Sequence, residues 1–442
     1  MKLLLLLIAV AEARELLQAY VLWRHGDRSP VGVYPKDIYN ASTWVQGLGQ
    51  LTPKGMLEEL KLGQVLKRRY VGSLLRDPYF QYQVHIRSTD INRTLISAQS
   101  VLAGMFKGTR GVTIPSDPAW PSTWLPIPVH TVLLNTDYLL HPIAPPPCPQ
   151  YEQYDQNVVR KSSAWMKYQN GYQNFFNWLS PKVGYAVDFG NMWVVYDDIF
   201  IETNNNRTEP SWVNSTVRAN LDFLRRRSAE FMYRDPHQAR LMGGPLLKEM
   251  AQRMSAFLQC RSSHSHSHCG WLQNLRFYGY SAHDITVMAL LAALGRQDAV
   301  KGGGLPSYGA SVALELWLED DSSVTVQTLY KDGYEDPAYH ALDVVGCPAG
   351  GAPCPLAQFL ARSAPYMPTN ITKECFQGVP APTEAPPVCD YATPAARNVS
   401  VTVLSVLVAG LALLVLYLAY LLWSIRHSKG KVSTAKHQGI IN

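Results

Sequence analysis

Cysteine is scarce in this chain, with seven in 442 residues. A fold of this size therefore does not depend on a disulfide framework, although it can use a few bridges. No internal repeat is present, which excludes a solenoid or propeller array. An excess of charge of one sign is lacking too. The formal charge is +6, but residues 1–13 and 401–442 hold five of the 40 basic residues and one of the 34 acidic ones, so the remainder carries only +2. That balance leaves no electrostatic footprint for nucleic acid.

Formal charge is missing altogether from Val399 to Ile425, a stretch of 27 residues rich in Leu, Val and Ala. About 20 apolar residues cross a bilayer core as a helix, so 399–425 is read as one C-terminal transmembrane helix. Arg426, His427, Lys429, Lys431 and Lys436 follow it. The tail 426–442 is then cytosolic and the rest of the chain extracellular or lumenal, the arrangement of a single-pass type I protein. At the other end, Lys2, an apolar run from Leu3 to Val10 and the small-residue site Ala11-Glu12-Ala13 have the parts of a signal peptide covering 1–13. Such a compartment suits N-glycans, which are expected on the sequons at Asn40, Asn206, Asn214, Asn370 and Asn398. It also permits disulfides. Cys347 and Cys354 are near neighbours expected to bridge; Cys148, Cys375, Cys260 and Cys269 are assigned to disulfides as well. Cys389 is left over, in a Pro- and Ala-rich stalk over 376–398.

Three short strand-like runs each end in a polar cluster and lead into a helical pattern. Ala19 to Trp23 runs into Arg24-His25-Gly26, Tyr82 to Ile86 into Arg87-Ser88-Thr89-Asp90, and Leu275 to Tyr280 into Ser281-Ala282-His283-Asp284. Helices are expected near Pro53, Asn92 and Ile285, with Thr52-Pro53 as N-cap and first helical position. Strands alternating with helices imply an α/β fold with a mainly parallel sheet flanked by helices. In such sheets ligands bind beyond the carboxyl ends of the strands, where all three clusters sit. Between them, Pro-rich segments and aromatic, then charged, helical sequence are read as an inserted helical cap over 111–244, with Arg218 to Tyr233 amphipathic. The core is then 14–110 and 245–375.

The segment Arg24-His25-Gly26-Asp27-Arg28-Ser29-Pro30 carries the chemistry. Guanidinium groups present planar donors that fit phosphate oxygens in pairs and stay charged at any working pH. An imidazole among them can attack phosphorus and split one hard hydrolysis into two easier steps. Arg87 adds a cation, and His283-Asp284 adds a phosphate donor and a carboxylic acid for the departing alkoxide. Asp27 reads as a local hydrogen-bond partner rather than a catalyst.

At these positions the sequence resembles the histidine acid phosphatases, a branch of the histidine phosphatase superfamily marked by R-H-G-x-R-x-P and a late H-D. The similarity continues through Gly47-Leu48-Gly49-Gln50-Leu51-Thr52, Ile86 to Asp90, Pro126-Ile127-Pro128-Val129-His130 and Tyr280 to Asp284, and within the family it points to the vertebrate acid phosphatases. The resemblance implies hydrolysis of phosphate monoesters with His25 as nucleophile. Arg24, Arg28 and Arg87 would hold the phosphoryl group, His283 would bond a phosphate oxygen, and Asp284 would protonate the leaving group. It implies no metal and no organic cofactor, and a homodimer. Two alternatives use the same fold: a phosphatase narrowed to inositol phosphates or phosphotyrosine, and a catalytically silent membrane glycoprotein receptor.

Several features depart from the family. A cysteine pair is missing, with Ser311 where the later member would stand. Cys260 and Cys269 bracket Ser262-Ser263-His264-Ser265-His266-Ser267-His268, read as a polar surface loop closed by a disulfide rather than a metal site. Ile285 stands where relatives carry a small hydroxyl residue. Asn92 makes a sequon beside Arg87 and is expected to be bare, because a glycan there would crowd the pocket. The tail 426–442 lacks the tyrosine that would route a lysosomal relative, so the expected location is the cell surface or an endomembrane, with the lysosome as alternative.

Overall fold

The computed structural model describes residues 14–109, 115, 117–121, 124–141, 148–262, 269–378 and 417–422. In chain order, β1 (Glu15–Arg24) leads through a long loop to α1 (Pro53–Tyr70), β2 (Val84–Ser88), α2 (Asn92–Met105) and the short β3 (Val129–His130). A helical run follows: α3 (Pro149–Tyr154), α4 (Ser163–Gly171), α5 (Gln173–Val183), α6 (Trp193–Asn204) and α7 (Ser215–Glu230). The chain returns through α8 (Pro236–Met242), α9 (Gly244–Ser262) and α10 (Cys269–Leu272) to β4 (Phe277–Ala282) and α11 (Asp284–Ala293). After these come β5 (Ser311–Leu318), β6 (Val324–Lys331), β7 (His340–Ala341), β8 (Cys354–Pro355), α12 (Leu356–Ser363) and α13 (Ile371–Cys375).

Period-2 alternation along β1 sorts its side chains between two cores. Ala19, Val21 and Trp23 pack with Leu62 and Leu66 of α1 and Val101 and Met105 of α2. Tyr20 and Leu22 pack on the other face with Met250 and Met254 of α9 and Leu290 and Leu291 of α11. Each fully buried aliphatic or aromatic side chain contributes about 1.5–3 kcal/mol by leaving water, and both faces of β1 are filled this way. The expected cap helix at 218–233 is α7, and a third core, with Trp165, Phe176, Phe189, Ile199 and Leu224, joins α4 to α7. In contrast, α8 and α9 pack on the sheet.

The sheet order is β3-β2-β4-β1-β5-β6-β7, with β8 also paired to β6. From β3 to β1 the strands are parallel, as the alternation of strands and helices predicts. From β1 outwards every pairing is antiparallel. The sheet is therefore mixed rather than mainly parallel. For β5 and β6 the reason is local: no helix separates them. A tight turn reverses the chain there, with Ser322 at φ 66° and the Ser322 and Glu319 amides closing onto Glu319 and Ser323 carbonyls at 2.9 Å.

Disulfides join Cys148 to Cys375, Cys260 to Cys269 and Cys347 to Cys354. Ser311, at the position of the missing family cysteine, shares a hydrogen bond of 2.7 Å with the Tyr339 hydroxyl. Among the described residues no helix is long and apolar enough to cross a membrane. The expected leader, the histidine-rich stretch 263–268, Cys389, Asn398 and the cytosolic tail lie outside the described residues, as does the expected span at 399–425 apart from the helical 417–422.

Candidate active site

Strand register brings the three polar clusters to one edge of the sheet. Arg24 lies opposite Ala282 across β1 and β4, and Ser88 lies opposite Ser281 across β2 and β4. Beyond the strand ends, the His25 amide donates to the Ala282 carbonyl at 3.0 Å and the Thr89 amide to Ser281 at 3.2 Å.

His25 is 2% exposed. Its Nδ1 lies 2.8 Å from the Gly26 carbonyl oxygen. A carbonyl only accepts, so Nδ1 carries the proton and the lone pair is on Nε2. Burial, joined by the charges of Arg93 and Arg24, holds the His25 pKa well below the usual imidazole value. The ring is neutral, as a nucleophile must be. Gly26 has no left-handed φ. It is needed because a Cβ there would stand 2.3 Å from the Gly55 carbonyl oxygen at the start of α1. Close backbone approach, rather than a left-handed turn, is what requires glycine there.

Arg24 Nη2 pairs with Asp284 Oδ2 at 2.9 Å, Nη1 donates to the Pro306 carbonyl at 2.6 Å, and the guanidinium lies over the Tyr308 ring at 4.3 Å. Arg28 forks onto Asp197 of α6, its Nη1 and Nη2 each 3.0 Å from Oδ2. Burial pushes the Asp284 carboxyl up, but Arg24, Arg225 and Arg28 outweigh it and hold the pKa below the ordinary carboxylate value. Ile285 donates its amide to Asp284 Oδ1 at 2.8 Å, while a hydroxyl in this helix start is supplied one residue later, where Thr286 bonds the Leu140 carbonyl at 2.7 Å.

Arg24, His25, Arg28, His283 and Asp284 thus converge; the His25 and His283 ring centroids are 5.5 Å apart. Arg87 is placed differently, with Nη2 2.5 Å from Asp137 Oδ1. Arg93, which the sequence reading passed over, is nearer the centre. Its Nη2 is 3.3 Å from Nδ1 of His283, and its charge is felt by both histidines. Guanidinium only donates, so His283 accepts at Nδ1 and donates from Nε2 to Thr89 Oγ1 at 3.1 Å. Burial, with Arg28 nearby, lowers the Arg93 pKa to about 10. The first turn of a helix following the second polar cluster was the signal that could have found it. Nothing in the sequence announces Asp197 or Tyr308, which reach the site from the cap and from the loop before β5.

Asp27 is fully buried and anchors the loop. It accepts from Thr52 Oγ1 at 2.6 Å and from Asn204 and Asn205 of the cap at 2.5 and 3.2 Å. Thr52 also caps α1 by accepting from the Gly55 amide at 3.0 Å, a contact worth about 1 kcal/mol. A cavity of about 430 Å³ opens onto Arg24 and Asp284, walled by α6, α7 and the loops at 301–308 and 332–335.

Residues 15–331 match the Histidine phosphatase superfamily (branch 2). The chain is 35% identical to human lysosomal acid phosphatase over 386 residues, 86% of this chain and 85% of that protein. It is 34% identical to bovine prostatic acid phosphatase over 368 residues, 82% of this chain and 88% of that protein. In fold it is similar to the Hafnia alvei phytase in complex with tartrate, with a TM-score of 0.61 at 17% identity, covering 83% of this chain and 99% of that one. A motif R-H-G-x-R-x-P at the end of β1, a His-Asp at the start of α11 and this breadth of similarity have one reading: the chain belongs to branch 2 of the histidine phosphatase superfamily.

Proposed function

We propose that this phosphoric monoester hydrolase acts as an acid phosphatase through a covalent phosphohistidine at Nε2 of His25. The observation that carries the reading is the His25 tautomer: Nδ1–H is committed to the Gly26 carbonyl, leaving the Nε2 lone pair among Arg24, Arg28 and Arg93. In the first step Nε2 attacks phosphorus and the ester oxygen departs, taking a proton from Asp284. In the second, Asp284 takes a proton from water, which attacks phosphorus and releases inorganic phosphate and His25. Arg24 and Arg28, with Arg93, hold the phosphoryl oxygens and offset charge in the transition state, and Arg87 joins them by leaving Asp137. His283 donates to a phosphate oxygen from Nδ1 once Arg93 turns from that nitrogen towards the phosphate and Nδ1 takes up a proton beside the bound anion. Asp284 is poised as an anion by its cations; a bound phosphate shares those cations and lets the carboxyl take up its proton, which favours acidic conditions.

We infer that the enzyme works outside the cytosol, with residues 1–13 removed, 376–398 as stalk and 399–425 as its membrane span. Asn40, Asn206, Asn214 and Asn370 are exposed, as glycan acceptors must be. Asn214 and Asn370 use Oδ1 to cap α7 and α13, which leaves Nδ2 for a sugar. The lysosomal acid phosphatase relatives support a lysosomal or other endomembrane location, and homodimerisation belongs to the same reading.

Hydrolysis of p-nitrophenyl phosphate across pH 4 to 8, beside His25→Ala, tests the enzyme reading. Activity lost in the variant, with an acid-labile phosphoryl group trapped on wild type, is the expected result. A properly folded wild type without activity would favour the silent receptor.

A further inference from the structure

We propose that Arg225, Lys301 and the backbone of Gly302–Gly304 form a second anion subsite beside the catalytic centre. The substrates it selects are small phosphate monoesters whose leaving group carries another oxyanion, a carboxylate or a second phosphate. The proposal rests on the phosphatase reading above and extends it to the leaving group.

Arg225 of α7 lines the cavity that opens onto Arg24 and Asp284. Its helix neighbours are satisfied: Arg226 pairs with Asp222 and Arg227 with Glu230. The Arg225 guanidinium makes no hydrogen bond or close ion pair with any described residue, although Asp284 and Asp197 are near enough to act on it electrostatically. Arg225 is half-buried, and a partly desolvated cation gains from a partner, so a guanidinium at the mouth of a catalytic site that no described residue pairs with is placed to meet a ligand. Lys301 lines the same wall and is likewise without a partner among the described residues.

The same cavity is lined by an uncommon backbone. Gly302, Gly303 and Gly304 all have left-handed φ, at 74°, 74° and 92°. The loop lies against α7, where a Cβ on Gly304 would stand 2.9 Å from Arg226 Cγ and one on Gly303 3.3 Å from Glu230 Oε1. Gly303 donates its amide to the Val300 carbonyl at 3.0 Å; the Gly302 and Gly304 amides donate to no described residue. Backbone amides in such a turn make an anion-binding concavity, here in the lining of the cavity that Arg225 and Lys301 share. Asp332 and Glu335 also line the cavity and repel an oxyanion, whereas the charge of Asp222 is paired with Arg226.

The test uses the full chain and two matched substrate pairs, O-phosphoserine against O-phosphoethanolamine and fructose 1,6-bisphosphate against fructose 6-phosphate. Within each pair only the extra oxyanion differs, and the pair that responds identifies carboxylate or phosphate. Wild type should favour the extra anion in at least one pair by ~10-fold in kcat/KM, the value of one charge-assisted contact. Arg225→Gln should bring that ratio close to one, and Lys301→Gln should lower it. The ratio is unaffected by a general loss of activity, so misfolding cannot imitate the effect. Equal efficiency within both wild-type pairs, or a ratio unchanged in both variants, overturns the subsite alone. Failure of wild type on every substrate, p-nitrophenyl phosphate included, overturns the phosphatase reading instead.

Discussion

Arg24 Nη2 lies 2.9 Å from Asp284 Oδ2, tying the end of β1 to the start of α11 across the catalytic edge. The contact holds the proposed acid in its ionised form until a phosphate draws on the same guanidinium. Whether Asp284 then supplies a proton depends on the leaving group. Asp284→Asn should lower kcat on glycerol phosphate by ~10²–10³-fold, the usual value of a general acid. With p-nitrophenyl phosphate the fall should be much smaller, since nitrophenolate departs without a proton. Steady-state kinetics on both esters decides it, and equal losses would remove the acid role.

Arg87 and Arg93 divide the second polar cluster. Arg93 touches His283, while Arg87 is committed to Asp137. Arg93→Ala should raise the inhibition constant of inorganic phosphate by ~10-fold or more, as expected for a lost charge-assisted contact. Arg87→Ala should raise it too if Arg87 grips the phosphoryl group. An unchanged constant with lowered thermal stability would leave Arg87 as the partner of Asp137 only.

Acidity should stabilise the cap. Burial pushes Asp198 up to about 8, helped by Asp197 and Asp37, and raises Glu202 likewise beside Asp37. A carboxyl whose folded pKa exceeds its unfolded value binds more protons when folded, so its contribution to stability falls as pH rises from about 4 towards 8. His25 and His283 act in the opposite sense, because their depressed values cost stability below about 6.5. The carboxamide in Glu202→Gln cannot ionise. Its Tm relative to wild type should therefore climb between pH 4.5 and 8, by roughly 2–4 °C for each kcal/mol. A difference independent of pH in thermal melts would contradict this.

Gly55 and Gly26 meet backbone to backbone. A Cβ on Gly55 would stand 2.1 Å from the Asp27 carbonyl oxygen, and neither chain segment has a side chain that could give way. Gly55→Ala should cost about 3 kcal/mol or more, the high end of overpacking. It should also displace the loop that holds His25. Denaturant unfolding together with p-nitrophenyl phosphate activity measures both, and a loss under 1 kcal/mol with full activity would show that the approach is looser.

The sequence by itself determined the helix start at Pro53, because Thr52 and Pro53 act on their own backbone; the start at Asn92 has no such side-chain cap and follows from the end of the second polar cluster. It determined the strand ends too, because apolar runs give way to polar clusters in sequence. From these came the parallel half of the sheet and the meeting of His25 with Arg24, Arg28, His283 and Asp284. The antiparallel pairing of β5 with β6 was also written locally, in Asp320-Asp321-Ser322-Ser323 between two alternating runs, but the antiparallel pairing of β5 with β1 was not. Only the tertiary structure decided that Arg28 meets Asp197, that Arg24 stacks on Tyr308 and that Gly26 faces Gly55. These are contacts between segments up to 284 residues apart, as between Arg24 and Tyr308, and no periodicity along the chain encodes such a distance. The same holds for Arg225: its sequence neighbours pair with carboxylates within one helical turn, and only the tertiary structure shows that among the described residues it has no ion pair of its own and lines the catalytic cavity.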